Sequence, residues 1–293
     1  MKSKVTIVIP TLNEQEAIGP LIEEIKSEGF EEIVVVDGYS RDDTAAIASK
    51  LGARVIMQHG KGKAGALLSA FQEVSTPYLL VIDGDGTYNP SDFDKFLPLM
   101  DNFDFVKGVR EWNDNMPRIH KFGNRVITKS FDVLFGTSIG DVCSGMYMIQ
   151  TDLAKSLLME RHPFAAEQEI VASIVQSSAS MTTIPISYRK RRGGVSKVNT
   201  WRQGIRDLIT NFDLARTRNP VMFFSGIATM ALVPSAVLLL SASWSYLAFG
   251  QYHSGYFLAG LVLLVLGAQG VTIASLAAML RRIERRLSLL KST

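Results

Sequence analysis

The sequence predicts an α/β domain with a mostly parallel sheet, followed by a transmembrane hairpin of two helices. Two observations carry this prediction. Over the first 110 residues, short β-branched runs alternate with amphipathic segments, the mark of strand–helix–strand units whose sheet is covered on both faces. From Asn219 to Leu280 there is no Asp, Glu, Lys or Arg, an interval that holds two membrane helices of about 20 to 25 residues each and a short turn. At 293 residues, 47% hydrophobic and 20% charged, the chain has room for one good-sized domain and a smaller part. Its mean hydropathy of +0.15 is high for a wholly soluble protein, and the excess lies at the C-terminal end.

Taken in order, "KVTIVIP" reads as a strand and "EQEAIGPLIEEIKSEG" as a helix, then "EIVVVDG" and "RDDTAAIASKLG" repeat the unit. "ARVIMQ" leads to "AGALLSAFQEV", "PYLLVIDGD" to "SDFDKFLPLM", and "FDFVKGVR" closes the series. Gly29, Gly52 and Gly60 stand where helices stop or turns form. Residues 111–200 are less regular: a helical "KFGNRVITKSFDVLFG", then "DVCSGMYMIQ", "AAEQEIVASIV", a last strand "TTIPISY" and the basic loop "RKRRGGVSK". Trp201, Ile205, Leu208, Ile209 and Phe212 then recur at helical spacing. That stripe suits a helix lying in the headgroup layer, although a helix packed on the soluble domain carries the same pattern.

The hairpin itself is placed at Val221–Trp244 and Tyr256–Leu280. A pair of buried core helices reads similarly, but two uncharged stretches in succession favour the membrane. Arg206, Arg216 and Arg218 precede it, Arg281, Arg282, Arg285, Arg286 and Lys291 follow it, and the turn carries no Lys or Arg. Both termini are therefore expected in the cytoplasm, with Trp244, Tyr246, Tyr252 and Tyr256 at the opposite interface. The expected division is 1–200 for the α/β domain, 201–218 for the interfacial helix and 219–293 for the hairpin and basic tail. "VTIVIP" is too short for an export signal, and the single Cys143 excludes an internal disulfide and suits a reducing compartment.

Ligands of open α/β sheets bind outside the carboxyl ends of the strands, and four polar motifs fall there: "PTLNE", "DGYS", "HGKGKAGAL" and "DGDGTY". Each has an ordinary reading alone. Asn13 is a candidate helix N-cap, and "GKGKAG" is a turn whose spacing is not that of a Walker A loop. Asp83 and Asp85 repel one another and so favour a cation beside them. Together the motifs line carboxylates, glycines and a lysine along one edge. His59, His120, His162 and His253 show no metal-ligand spacing.

"VIPTLNE", "VVVDGYSRDDT", "GKGKAGAL", "IDGDGTYNPSD", "VKGVR", "GNR", "DVCSGMYMI" and "YRKRRGGVSK" together resemble family 2 glycosyltransferases of the Rossmann-like, nucleotide-sugar-binding GT-A fold. Within that family the series is most similar to polyprenyl-phosphate (dolichyl-phosphate) sugar transferases, archaeal N-glycosylation members above all. The resemblance covers residues 4–200. It implies a nucleotide-sugar pocket formed by Pro10, Leu12, Glu14, Val35 and Asp37, with Lys63, Gly84, Arg191, Ser196 and Lys197 around the donor. It implies that Asp83 and Asp85 hold Mg²⁺ or Mn²⁺, with Thr87, where relatives carry Gln, as a weak third ligand or a water in its place. Arg110 and Arg125 are implied near the phosphates, and Asp141 and Ser144 on the acceptor side. Lys63 has a plain alternative as a solvated lysine; Glu167 and Glu169 are either binders of sugar hydroxyls or surface carboxylates, and Arg192 a residue facing anionic lipid. Cys143 reads as packing rather than a nucleophile.

The implied activity is a membrane-anchored inverting transfer of one sugar from a nucleotide donor, UDP in preference to GDP, to a polyprenyl phosphate at the cytoplasmic leaflet. The alternatives are another lipid acceptor, such as a diacylglycerol or a lipid-linked saccharide, and an inactive nucleotide-sugar-binding protein. A hydroxyl acceptor would make a base of Asp141 or Glu167 indispensable. Nucleic acid is not an expected partner, since "RKRR" lacks interleaved aromatics. A homo-oligomer packed through Gly226, Gly260, Gly267 and Gly270 is the remaining expected partnership, with glycines that face lipid or one another as the alternative.

Overall fold

A computed structural model of the chain describes residues 1–111, 118–157, 159, 165–192 and 200–291. Its elements run β1 (Val5–Thr11), α1 (Gln15–Ser27), β2 (Ile33–Asp37), α2 (Thr44–Lys50), β3 (Arg54–Met57), α3 (Gly62–Glu73), β4 (Tyr78–Val81) and β5 (Phe105–Arg110). There follow α4 (Arg118–Phe135), β6 (Tyr147–Gln150), α5 (Thr151–Ser156), α6 (Ala166–Ser177), β7 (Met181–Ile186), α7 (Thr200–Arg218), α8 (Pro220–Phe249) and α9 (Ser254–Lys291). The chain divides into two compact units, Met1–Asn211 and Phe212–Thr293.

In the first unit, seven strands form one sheet in the order β3-β2-β1-β4-β6-β5-β7. All neighbours are parallel except β6, which runs antiparallel to both β4 and β5. The α/β expectation holds, with β6 as the addition: its four residues lie inside "DVCSGMYMIQ" and are too short to announce a strand by periodicity. The central strands are buried on both sides, β2 at all five positions, while the edge strands β3 and β7 are largely not. Side-chain parity sorts the layers. Val5, Ile7, Ile9, Ile33 and Val35 join Ile18, Leu21, Ile22 and Ile25 of α1 in one cluster, while α3 packs on β1 and β2 with Leu67 and Phe71 fully buried. Each such side chain contributes about 1.5 to 3 kcal/mol by leaving water. "SDFDKFLPLM" is not an α-helix but two 3₁₀ turns, Pro90–Lys95 and Leu97–Asp101. Pro98 removes the amide that a continuous helix would need.

In the second unit, α8 and α9 pack as a hairpin. Two 30-residue segments, Pro220–Phe249 and Ser254–Ile283, are long and apolar enough to cross a membrane, with mean hydropathies of 2.0 and 2.2 over their most apolar windows. Only 11% and 22% of those windows is buried, so these are not core helices of a soluble domain. Gly250, with φ +65°, closes α8 in the left-handed conformation. Three of the four hairpin glycines lie against the facing helix. A Cβ on Gly260 or Gly267 would meet Leu239 at 2.7 Å or Leu232 at 2.5 Å, and one on Gly270 would meet Ala228 at 3.0 Å. Ser235 Oγ donates to the Gly260 carbonyl at 2.7 Å across the same seam. Gly226 alone of the four has nothing within 4 Å of such a Cβ.

Candidate active site

The carboxyl edge of β1 and β2 is a laced pair of loops. Asn13 takes a left-handed conformation, φ +50°, donates its amide to Ser40 Oγ (2.8 Å) and accepts the Arg41 amide at Oδ1 (2.7 Å). It therefore ties two loops together and does not cap α1, whose N-cap position is Glu14. Asp37 is 1% exposed; its Oδ1 accepts the Ser40 amide at 2.7 Å, and Oδ2 is buried with no hydrogen-bond partner among the described residues. A buried carboxylate oxygen left in this condition is held ready for a donor group from a ligand. Leu12 stands exposed and Pro10 half-buried at the same edge. Val35 does not join them: its side chain is fully buried in the core against α1, so it cannot line a pocket.

"DGDGTY" leaves β4 and meets "DVCSG" face to face. A Cβ on Gly145 would lie 2.4 Å from Asp83 Oδ2, and one on Gly84 would lie 2.7 Å from Thr11 Cγ2. Only glycine permits either approach. The Gly145 amide donates to Tyr88 Oη at 2.7 Å, which locks the second motif onto the first.

Both aspartates are paired with side-chain cations. Lys63, in the first turn of α3, binds Asp83 and also Glu167 from α6. Burial opposes its charge, but the two carboxylates outweigh that and hold the ammonium well above the ordinary lysine range. Lys63 is thus not a solvated loop residue, and neither Glu167 nor the fully buried Glu169 is a surface carboxylate. Asp85 Oδ2 accepts Arg191 Nη1 at 3.0 Å, and the other amino group of Arg191 binds Glu14. Asp85 Oδ1 accepts the amide and the hydroxyl of Thr87 at 3.1 and 2.7 Å. Thr87 is 4% exposed and donates its hydroxyl to Asp85, so it supports that carboxylate.

The segment after β7 is stitched to the same motif. The Arg189 amide donates to the Thr87 carbonyl (2.7 Å), the Arg192 amide to the Asp85 carbonyl (3.1 Å), and Tyr188 bridges Tyr88. Arg192 does not face lipid: it binds Glu24, as Arg189 does, and its stem lies over Gly86. Ser196 and Lys197 lie outside the described residues.

On the other side, Arg110 and Asp141 form a buried bidentate pair, Nε to Oδ2 at 2.6 Å and Nη2 to Oδ1 at 2.9 Å. Tyr188 lies 5.3 Å from the guanidinium. Both carboxylate oxygens of Asp141 are used, with the Cys143 amide a further donor to Oδ1 at 3.2 Å. Ser144 Oγ is buried without a partner among the described residues, while its carbonyl accepts Lys107 Nζ at 2.7 Å. Burial pushes the Lys107 ammonium down to about 8 and the Cys143 thiol up, out of reach as a thiolate nucleophile.

Arg125 stands exposed on α4. That helix buries Ile127, Thr128, Phe131 and Phe135 but exposes Phe122 at 66% and Val133 at 61%, with Ile119 and Val126 beside them. On α7, Ile205 and Ile209 are 58% and 63% exposed. Asn211 joins the two helices through Ile127 O (2.9 Å) and Ser130 Oγ (2.7 Å). The apolar stripe of α7 is therefore not its packing face.

Among the described residues, no three His, Cys, Asp or Glu side chains gather as a metal-binding group. Asp83 and Asp85 nevertheless offer hard carboxylate oxygens already matched with positive charge. Such a donor set fits Mg²⁺ or Mn²⁺ when a substrate diphosphate completes the coordination.

The mostly parallel sheet whose strand ends gather carboxylates, glycine-only contacts and arginines is a GT-A-like α/β fold. Residues 6–158 match the family profile described as "Glycosyl transferase family 2", and the chain belongs to that family. It is a glycosyltransferase. Glycosyltransferase AglJ of Haloferax volcanii is 31% identical over 249 residues, covering 82% of each chain. A dolichyl-phosphate hexose transferase of the same organism is 32% identical over 64% of this chain and 83% of its own. Glucosyl-3-phosphoglycerate synthase from Mycobacterium tuberculosis, solved with Mn²⁺, UDP and glucosyl-3-phosphoglycerate, shares the fold. Its TM-score is 0.59 at 21% identity, over 71% of this chain and 79% of that one.

Proposed function

We propose that the protein transfers one hexose, with inversion, from a nucleotide diphosphate donor to a polyprenyl (dolichyl) phosphate at the cytoplasmic leaflet. The observation that carries this reading is the paired edge of Asp83 with Lys63 and Asp85 with Arg191, facing "DVCSG" across the contact of Gly145. UDP is preferred to GDP, being the nucleotide held by the mycobacterial synthase of the same fold. Residues 1–200 are the catalytic domain, 201–218 the interfacial helix and 219–293 the membrane hairpin.

Asp37 and Glu14 hold the base and ribose, with Pro10 and Leu12 at the rim. Asp83 and Asp85 hold the divalent ion, which when bound neutralises diphosphate charge. Lys63 and Arg191, released from their carboxylates, turn to the donor phosphates, and Ser196 and Lys197 are further donor-binding residues. A lipid phosphate is already an anion at neutral pH, so alignment and charge stabilisation do most of the work. Its oxygen attacks the anomeric carbon opposite the leaving nucleoside diphosphate; the new C–O bond forms as the old one breaks, and no proton moves. Asp141 fixes Arg110 for the acceptor phosphate, Ser144 adds its hydroxyl, and Arg125 lies on the approach.

The buried pairing of Asp141 with Arg110 supports this acceptor over a hydroxyl-bearing lipid, because it occupies a candidate base. The exposed apolar residues of α4 and α7 support a catalytic domain resting on the membrane surface. The basic flanks of the hairpin support a cytoplasmic active site. The test is transfer from radiolabelled UDP- and GDP-sugars to polyprenyl phosphate by the detergent-extracted protein, with Mg²⁺ or Mn²⁺. An acid-labile labelled lipid that disappears with chelator or in Asp85→Ala is expected. Metal-dependent nucleotide binding with no lipid product would overturn the acceptor.

A further inference from the structure

At the basic end of the hairpin, a cavity of about 360 Å³ is lined by Asn219, Val221, Met222, Ala278, Arg281 and Arg282. One wall is the first turn of α8, the other the stretch of α9 where its apolar span gives way to arginines. Arg281 is fixed across the gap: its Nη2 donates to the Arg218 carbonyl at 2.8 Å and to Asn219 Oδ1 at 3.0 Å. Its guanidinium is thus positioned before any ligand arrives. Arg282 stands exposed beside it. The first turn of α8 holds no acidic residue, and its amides add partial positive charge. Around this end, Asp213 is neutralised by Arg216 at 2.8 Å, and in the sequence Glu284 is outnumbered by Arg285 and Arg286. Val221, Met222 and Ala278 supply an apolar side that continues into the spans.

We propose that this cavity binds the phosphate of a membrane lipid, at a site built wholly from residues 219–282 of the hairpin. The combination is that of an amphiphile's headgroup: guanidinium forks for phosphate oxygens, an apolar wall for the adjoining chain, and a position at the end of a spanning segment. Basic pockets between membrane helices bind anionic headgroups in this way. The inference rests on α8 and α9 spanning the bilayer and uses none of the residues assigned to transfer.

Native mass spectrometry of the full chain in detergent tests it, with phosphatidylglycerol, phosphatidylcholine of the same chains, a polyprenyl phosphate and inorganic phosphate as separate probes. One phosphatidylglycerol or polyprenyl phosphate should be retained over phosphatidylcholine by roughly five- to tenfold. Whichever of the two is held more strongly names the source. Arg282→Gln should abolish the preference, and so should Met222→Trp, which fills the cavity without removing charge. Circular dichroism would check that both variants keep the helices. Equal retention of charged and zwitterionic lipid, or a preference that survives both variants, would overturn the proposal. Displacement of the lipid by inorganic phosphate alone would also overturn it, by making this a site for soluble anions.

Discussion

Gly145→Ala isolates the contact between the two halves of the active site. The added methyl would sit 2.4 Å from Asp83 Oδ2 and 2.8 Å from its Cγ and Oδ1, where ordinary contact begins at 3.4 Å. The carboxylate must therefore retreat from Gly145 by about 1 Å. Gly145 is not among the residues with positive φ, so alanine introduces no backbone strain, and the loss of chain entropy in the unfolded state offsets part of the overlap. Stability should change by no more than about 1 to 3 kcal/mol. Activity should suffer more, since a misplacement of about 1 Å lowers rate by around 100-fold, or about 2.7 kcal/mol of transition-state stabilisation. The assay is sugar transfer by the full chain in detergent as a function of Mn²⁺ concentration, with kcat and metal requirement both read. Gly123→Ala, on α4 with nothing within 4 Å of the new methyl, serves as control and should transfer normally. An unchanged kcat and metal dependence in Gly145→Ala would refute the idea that Asp83 must stay where Gly145 lets it lie.

Arg110→Ala should destabilise the protein by about 3 to 5 kcal/mol, because it strands the Asp141 charge, 1% exposed, without its partner; thermal unfolding in detergent measures it, with Arg110→Ala/Asp141→Asn recovering most of the loss. Asp207 supplies a pH dependence. Burial raises its carboxyl to about 7, the Gln203 hydrogen bond opposing and the Glu167 charge assisting. The folded state then keeps a proton that the unfolded state releases between about pH 4 and 7, so this contribution is present at pH 4 and lost as pH rises through 7. The midpoint of unfolding should fall between pH 5 and 8 in the natural protein and fall less in Asp207→Asn; identical slopes would exclude this source. Phe122→Asp with Val126→Asp should leave nucleotide binding intact and cut transfer to lipid in vesicles by roughly tenfold or more, as removal of buried apolar area from a membrane-resting face requires. Equal transfer in vesicles would remove α4 from the membrane surface.

What the sequence made legible follows the range of the forces involved. Strand ends and their polar motifs are local, so Asp37, Asp83 and Asp85 could be placed along one edge from alternation and turn residues alone. Glu167 could not: it enters the site from α6 only because Lys63, about a hundred residues earlier, needs a second carboxylate. Arg192 misled for the same reason, since its partner Glu24 is 168 residues away. Val35 carries the opposite lesson. A residue two places before Asp37 on a strand shares its face by period, yet β2 is covered along its whole length, and only its end reaches a ligand. The apolar stripe of α4 was hidden among basic residues, because a sequence pattern does not say which of two apolar faces is the packed one. The hairpin glycines were legible as small contacts, and of the readings left open, contact between the two helices is the one that Gly260, Gly267 and Gly270 take.

The direction of a single four-residue strand has a large consequence for where chemistry can occur. Were β6 parallel to its neighbours, the loop leading into it would emerge at the amino edge of the sheet, a strand's length from the aspartates. Running backwards, it pairs Tyr147 with both Val81 and Lys107 and delivers "DVCSG" to the edge where β4 and β5 end. Donor and acceptor groups are thereby held on one shore of the sheet by backbone hydrogen bonds rather than by loops. The segment after β6, beginning at Thr151, is sent to the far edge, where insertions can accumulate without touching either substrate. Variation in this protein's relatives should therefore be tolerated at α5, directly after Gln150, and resisted just before Tyr147.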